Sequence, residues 1–136
     1  MTVHELPFTP ELIRTALAGG DGTIGERLAR AYFSMVLASG TVESLVRSAM
    51  TNDTARIMLR EFVERAVLDA FEDMIGGPNA RLRLALAGSH LVGVVMLRQI
   101  AGLETLVTAE MDEIVSLVGP ALDVHIGPRS DPPGTE

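Results

Sequence analysis

Residues 81–103 read RLRLALAGSHLVGVVMLRQIAGL, and this stretch decides the fold because it is too apolar for an ordinary surface helix. Between residues 84 and 97 only Ser89 and His90 are polar. An apolar run of 14 residues closed by Arg83 and Arg98 falls short of the ~20 needed to cross a bilayer, so a well-covered helix is expected rather than a membrane span. On a helical wheel, Ala85, Gly88, Ser89, Val92 and Met96 share one face, with Leu86, His90, Val94 and Leu97 roughly opposite. Small residues let a second helix backbone approach closely. The small face is therefore expected to meet another helix and the bulky face the chain's own core. In 136 residues, a helix that needs cover on both sides hints at a partner subunit.

Outward from this stretch the pattern is helical throughout. Thr9-Pro10-Glu11 is a helix start, with Thr9 as N-cap, and Leu12, Ile13, Ala16 and Leu17 form its stripe up to Gly19-Gly20. Thr23-Ile24-Gly25-Glu26 reads as a capping box opening a helix to about residue 39, with Ile24, Leu28, Ala31, Tyr32, Met35 and Val36 inward and Gly40 ending it. Thr41 caps a short helix striped by Val42, Leu45, Val46 and Ala49. Thr51-Asn52-Asp53 then opens the longest regular pattern, Leu59, Phe62, Val63, Ala66, Val67, Ala70, Phe71 and Met74, which predicts an amphipathic helix up to Gly76-Gly77. A last helix is expected from about Thr108, carrying Ile114, Leu117, Val118, Ala121 and Leu122, with Pro120 bending it and Gly127-Pro128 ending it. No segment alternates with period two, so the chain reads as one all-α domain of about six helices.

Composition narrows the function classes. There is no cysteine, which removes disulfides, thiolate metal sites and cysteine nucleophiles. A net charge of −7, with 11 arginines and no lysine scattered among acids, argues against this chain gripping a nucleic-acid backbone by itself. The N-terminus lacks the basic and apolar regions of a signal peptide, which makes the cytoplasm the default.

The local motifs carry little catalytic chemistry. Residues 20–25 spell G-x-G-x-x-G, but a dinucleotide fingerprint follows a strand, and here a helix precedes it, so the motif reads as an interhelical turn. None of His4, His90 and His125 has a second ligand at i+3 or i+4, so no metal site is expected. Ser89 and His90 are neighbours on a helix and point about 100° apart, so they make no catalytic pair. His90 reads either as a satisfied core or interface histidine or as the polar contact of a pocket. Met35, Met58, Met74 and Met96 either fill the core or line an adaptable cavity. Arg83 and Arg98 are either solvated, paired with acids, or set at a pocket rim.

Two strings, residues 81–106 (RLRLALAGSHLVGVVMLRQIAGLETL) and 113–126 (EIVSLVGPALDVHI), resemble the last two helices of the C-terminal domain of tetracycline-repressor-family (TetR) regulators, with residues 118–122 the strongest piece. Residues 42–71 are similar to the part of that domain that builds an effector pocket. The resemblance covers about residues 8–127. It implies a domain without enzymatic activity or cofactor, which dimerises by packing its last two helices against their mates as a four-helix bundle. It also implies a hydrophobic pocket for a small effector.

On these grounds residues 1–8 are expected to be the remnant of a linker helix, 9–127 the ligand-binding and dimerisation domain, and 128–136 a flexible tail. Contact with DNA would require a helix-turn-helix head, which the sequence does not contain. Phe33, Met58, Phe62, His90 and Val94 are the expected pocket residues, with the effector entering between helix 53–75 and the central helix. Ala85, Gly88, Val92, Met96, Leu117, Ala121 and Leu122 are the expected homodimer interface. The rival expectation is a helical homodimeric adaptor with a solid core. A cavity of several hundred cubic ångströms separates the two readings.

Overall fold

The computed structural model describes residues 10–38 and 41–127, and all regular structure among them is helical. In order these are α1 (Pro10–Ala18), α2 (Ile24–Ala38), α3 (Thr41–Ala49) and α4 (Asp53–Phe62), which continues through a π-helical stretch (Val63–Asp69) into α5 (Ala70–Ile75). They are followed by α6 (Ala80–Val95), extended by a second π-helical stretch (Met96–Ile100), then α7 (Glu104–Thr108) and α8 (Met111–Ile126). With residues 53–75 counted as one rod, a single element exceeds the expected six: the short α7, in a segment expected to link two helices. Expectations for residues 1–8, Thr9, Gly40 and the tail 128–136 lie outside the described residues, as do those for the side chains of Leu12 and Val42.

Local chemistry sets the ends. Asn52 caps α4 by accepting the Ala55 N–H at 3.0 Å. At the start of α2 the capping box forms only in part. Thr23 Oγ1 accepts from the Glu26 N–H at 3.2 Å, but the Glu26 carboxylate lies 3.5 Å from that same hydroxyl instead of reaching back to the backbone. The neighbouring Gly25 N–H is taken from across the fold by Asp123 Oδ1 at 2.7 Å. In the turn at residues 20–25, which joins two helices, Arg27 reaches back to the Ala16 and Gly22 carbonyls, each at 2.7 Å.

The core closes around Phe71, Leu91, Val115 and Leu122. The most extensive helix packing is α2 on α8, where the backbones meet at Gly25 and Gly119. A Cβ on Gly25 would overlap the Gly119 carbonyl, and one on Gly119 would sit 3.1 Å from the backbone nitrogen of Glu26. Both positions therefore require glycine for close approach. Leu122, expected at a dimer interface, is fully buried in this core, because it lies on the α8 face that turns toward α2 and α6.

Residues 80–100 form one continuous helix of 21 residues, long and apolar enough by length and composition to cross a membrane. The apolar run of 14 residues lies inside this helix, which takes in arginines at both ends. In the fold this helix packs on α2, α5 and α8. Arg83, expected to be solvated, acid-paired or at a pocket rim, is buried, with 8% exposure. Its Nε donates to the Pro78 carbonyl at 2.8 Å, its Nη1 to the His125 carbonyl at 2.9 Å, and its Nη2 to the Gly76 carbonyl. Two of these acceptors lie at the C-terminal ends of α5 and α8, where the helix dipole favours a cation.

Replacing Arg83 by Met leaves three carbonyls without this donor, so Arg83→Met is expected to lower stability by about 2–4 kcal/mol in urea denaturation. Arg83→Lys, which keeps the charge but not the planar fork, should recover only part of the loss. Wild-type stability in both variants would show that the guanidinium does not hold the two helix ends.

Candidate functional site

A wheel of α6 built on the observed burial has three sectors where the sequence reading gave two. Leu84, Ala87, Leu91 and Val95 are buried in the core, on the same side as Arg83. Ala85, Gly88, Ser89, Val92 and Met96 line a large cavity. Leu82, Leu86, His90 and Leu97 face outward and are exposed.

The cavity has a volume of about 410 Å³. Its far walls are Ile13 and Leu17 from α1, Leu28 and Tyr32 from α2, and Val46 from α3. The rod from α4 to α5 adds Leu59, Phe62, Val63, Val67 and Leu68. Small side chains on α6 leave the space open: a Cβ built on Gly88 or Gly93 meets nothing within 4 Å. Both π-helical stretches border the void, Val63, Val67 and Leu68 on one wall and Met96 on the other. No lining residue is charged, and only Tyr32 and Ser89 bring side-chain hydroxyls. The exposed Ser89 marks an opening, and its Oγ donates to the Ala85 carbonyl at 2.8 Å. Tyr32 stacks edge-on against Phe33, with ring centroids 5.9 Å apart, and burial pushes its phenol up to about 12.

These placements divide α6 differently from the expectation. Ala85, Gly88, Val92 and Met96, expected at a dimer interface, border the cavity because the neighbour they face is α4 and its π-helical continuation, at a distance their small side chains do not bridge. His90 and Met58, expected in the pocket, are exposed and do not line it. Phe33 and Val94 line a separate void of about 10 Å³ beside Val36, Arg98 and Met111, enough for about one water molecule. Arg98 Nε donates there to the Leu106 carbonyl at 3.0 Å, so this arginine holds the α6–α7 connection. Of the five expected pocket residues, Phe62 alone borders the large cavity. On α8, Leu117 is 74% exposed and Ala121 half-buried, while Val124, which the sequence reading passed over, is 71% exposed.

Tyr32 was legible as inward-facing, and an inward phenol on an apolar stripe calls for a hydrogen-bond partner. That was the available signal for a cavity wall. Among the described residues no group of three or more His, Asp or Glu is placed to hold a metal ion.

Residues 22–126 match the family model described as tetracyclin repressor-like, C-terminal domain, and the chain belongs to that family. A crystal structure of a TetR-family regulator from Streptomyces coelicolor A3 is 36% identical in sequence and superposes with a TM-score of 0.67, covering 90% of this chain and 84% of that one. No curated protein matches the sequence.

Two measurements check the cavity. Gly88→Leu places a side chain in open space and removes a mid-helix glycine, so it should raise stability by about 1 kcal/mol. A loss of stability would mean that the space is already filled. Tyr32 is the only tyrosine, so phenolate absorbance reports it alone. Its folded value, about 12, lies above the ordinary 10.0, so the stability associated with the neutral phenol is complete below pH 10 and declines as pH rises toward 12. Titration near 10 in the folded protein would place the ring in solvent.

Proposed function

We propose that residues 9–127 act as a single ligand-sensing and dimerisation unit of a transcriptional regulator. It binds a small, largely apolar effector in the cavity and catalyses no reaction. The observation that carries this reading is the cavity of about 410 Å³, which falls within the roughly 300–1,000 Å³ range of small-molecule sites. Such a volume supports the sensor over the adaptor with a solid core.

Dimerisation uses the outward stripes. Leu82 and Leu86 on α6, Leu97 on its π-helical extension, and Leu117 and Val124 on α8 are all at least 43% exposed, and α6 and α8 pack against each other. Exposed apolar residues on adjacent helices are a characteristic of surfaces that associate. The pairing supported is therefore the family's four-helix arrangement, built on Leu86 and Leu117 rather than on Gly88 and Val92. Ala121 belongs to its margin.

In this arrangement α6 carries the effector on one face and the partner subunit on another. An effector that fits one dimer geometry better than a second shifts the balance between them by its difference in affinity. Operator contact is the work of a helix-turn-helix head outside this domain, and the net charge of −7 supports that division. The setting is the cytoplasm.

In sedimentation velocity the wild-type chain should run as a dimer, and Leu86→Arg combined with Leu117→Arg as a monomer. Gly88→Leu, which changes only the cavity face, should leave the dimer intact. A dimer that survives both arginines would remove the outward stripes as its interface, and one lost with Gly88→Leu would return the small face to that role.

A further inference from the structure

The cavity is selective in its chemistry as well as its size. None of its walls offers a guanidinium, carboxylate or imidazole. An ionised ligand group brought inside would lose its water and gain no counter-charge, which is far costlier than burying a neutral polar group. The two hydroxyls are not equivalent. Ser89 already spends its proton on the Ala85 carbonyl and stands at the exposed edge. The Tyr32 hydroxyl forms no hydrogen bond among the described residues, and its oxygen is not sealed within the core. One donor on an otherwise apolar wall is thus left to be met by whatever enters.

The geometry points to an uncharged, mostly hydrocarbon ligand that carries a hydrogen-bond acceptor, such as a ketone, ester or ether oxygen, for the Tyr32 hydroxyl. This inference rests on the sensor reading above and narrows it. The scale is consistent. An apolar cavity of about 150 Å³ accommodates benzene, so one of about 410 Å³ admits a substituted aromatic or a chain of comparable bulk. A tyrosine phenol is protonated, and so a donor, across the physiological range. An acceptor directed at it strengthens binding, whereas a carboxylate pays the full cost of desolvation for the same single bond.

Three probes of matched shape separate the terms: para-butylisopropylbenzene, para-butylacetophenone and para-butylbenzoate, titrated calorimetrically at neutral pH into the full 136-residue chain and its Tyr32→Phe variant. The ketone should bind about 5- to 10-fold more tightly than the hydrocarbon, the worth of one hydrogen bond. The benzoate should bind at least about 30-fold more weakly than the ketone. Tyr32→Phe should erase the ketone's advantage and leave the hydrocarbon unchanged, a pattern that a merely unfolded variant cannot produce. Benzoate binding within about threefold of the ketone, or a ketone unaffected by Tyr32→Phe, would overturn the ligand class while leaving the cavity as a binding site. If none of the three binds, while Gly88→Leu is stabilised as expected, the sensor reading itself fails.

Discussion

The orientation of α6 rests on one buried cation. Arg83 has no acidic partner among its hydrogen bonds. It is held by three backbone carbonyls, at Gly76, Pro78 and His125, which belong to the turn before α6 and to the last turn of α8. A planar fork bonded to fixed carbonyls resists rotation in a way that apolar contacts do not. Once Arg83 faces the end of α8, the remaining positions follow at about 100° per residue. Leu84, Ala87, Leu91 and Val95 turn to the core, Ala85, Gly88 and Val92 to α4 and its continuation, and Leu86 and His90 to the outside. The surface ion pairs, such as Arg30 with Asp112, are exposed and contribute little by comparison.

The cavity follows from what that orientation places opposite α6. On the α2–α8 side, backbones come together at Gly25 and Gly119 and leave no room for a Cβ. On the other side, α6 again presents small residues, yet the opposing helix does not close in. The rod there is π-helical over Val63–Asp69, a local widening seen often at functional sites. Small residues thus do opposite things on two helices of one domain, permitting contact at Gly119 and preserving a void at Gly88.

This ambiguity marks what was legible in the sequence. Helix ends declared themselves through Asn52, Thr23 and the paired glycines, and the apolar spacing of residues 59–74 predicted a rod that the structure contains. The family was legible from residues 81–106 and 113–126. What the spacing of α6 could not reveal was the number of its environments. A wheel divides residues into faces by chemistry, and the small face of α6 has the chemistry of a helix contact and of a cavity wall alike. Arg83 read as a surface charge because its partners are carbonyls, which carry no signal in a sequence. The Gly25–Gly119 contact joins residues 94 positions apart, so neither glycine showed its reason locally. Leu122 and Val124 were resolved only by burial, since both are aliphatic residues of the same helix.

The three-sided character of α6 also bears on how such a domain diverges. Residues that do not touch one another change nearly independently in their energetic effects. Substitutions at Leu59, Val63 or Val92 reshape the void, yet they leave the Arg83 clamp and the glycine crossing as they are. Ile13, Leu17, Leu28, Leu68, Leu84 and Leu91 serve core and cavity together, and there a change of ligand preference would be coupled to folding. Chemical recognition in this architecture is therefore free to drift while the scaffold stays fixed, which gives lineages a route to new signals without a new fold.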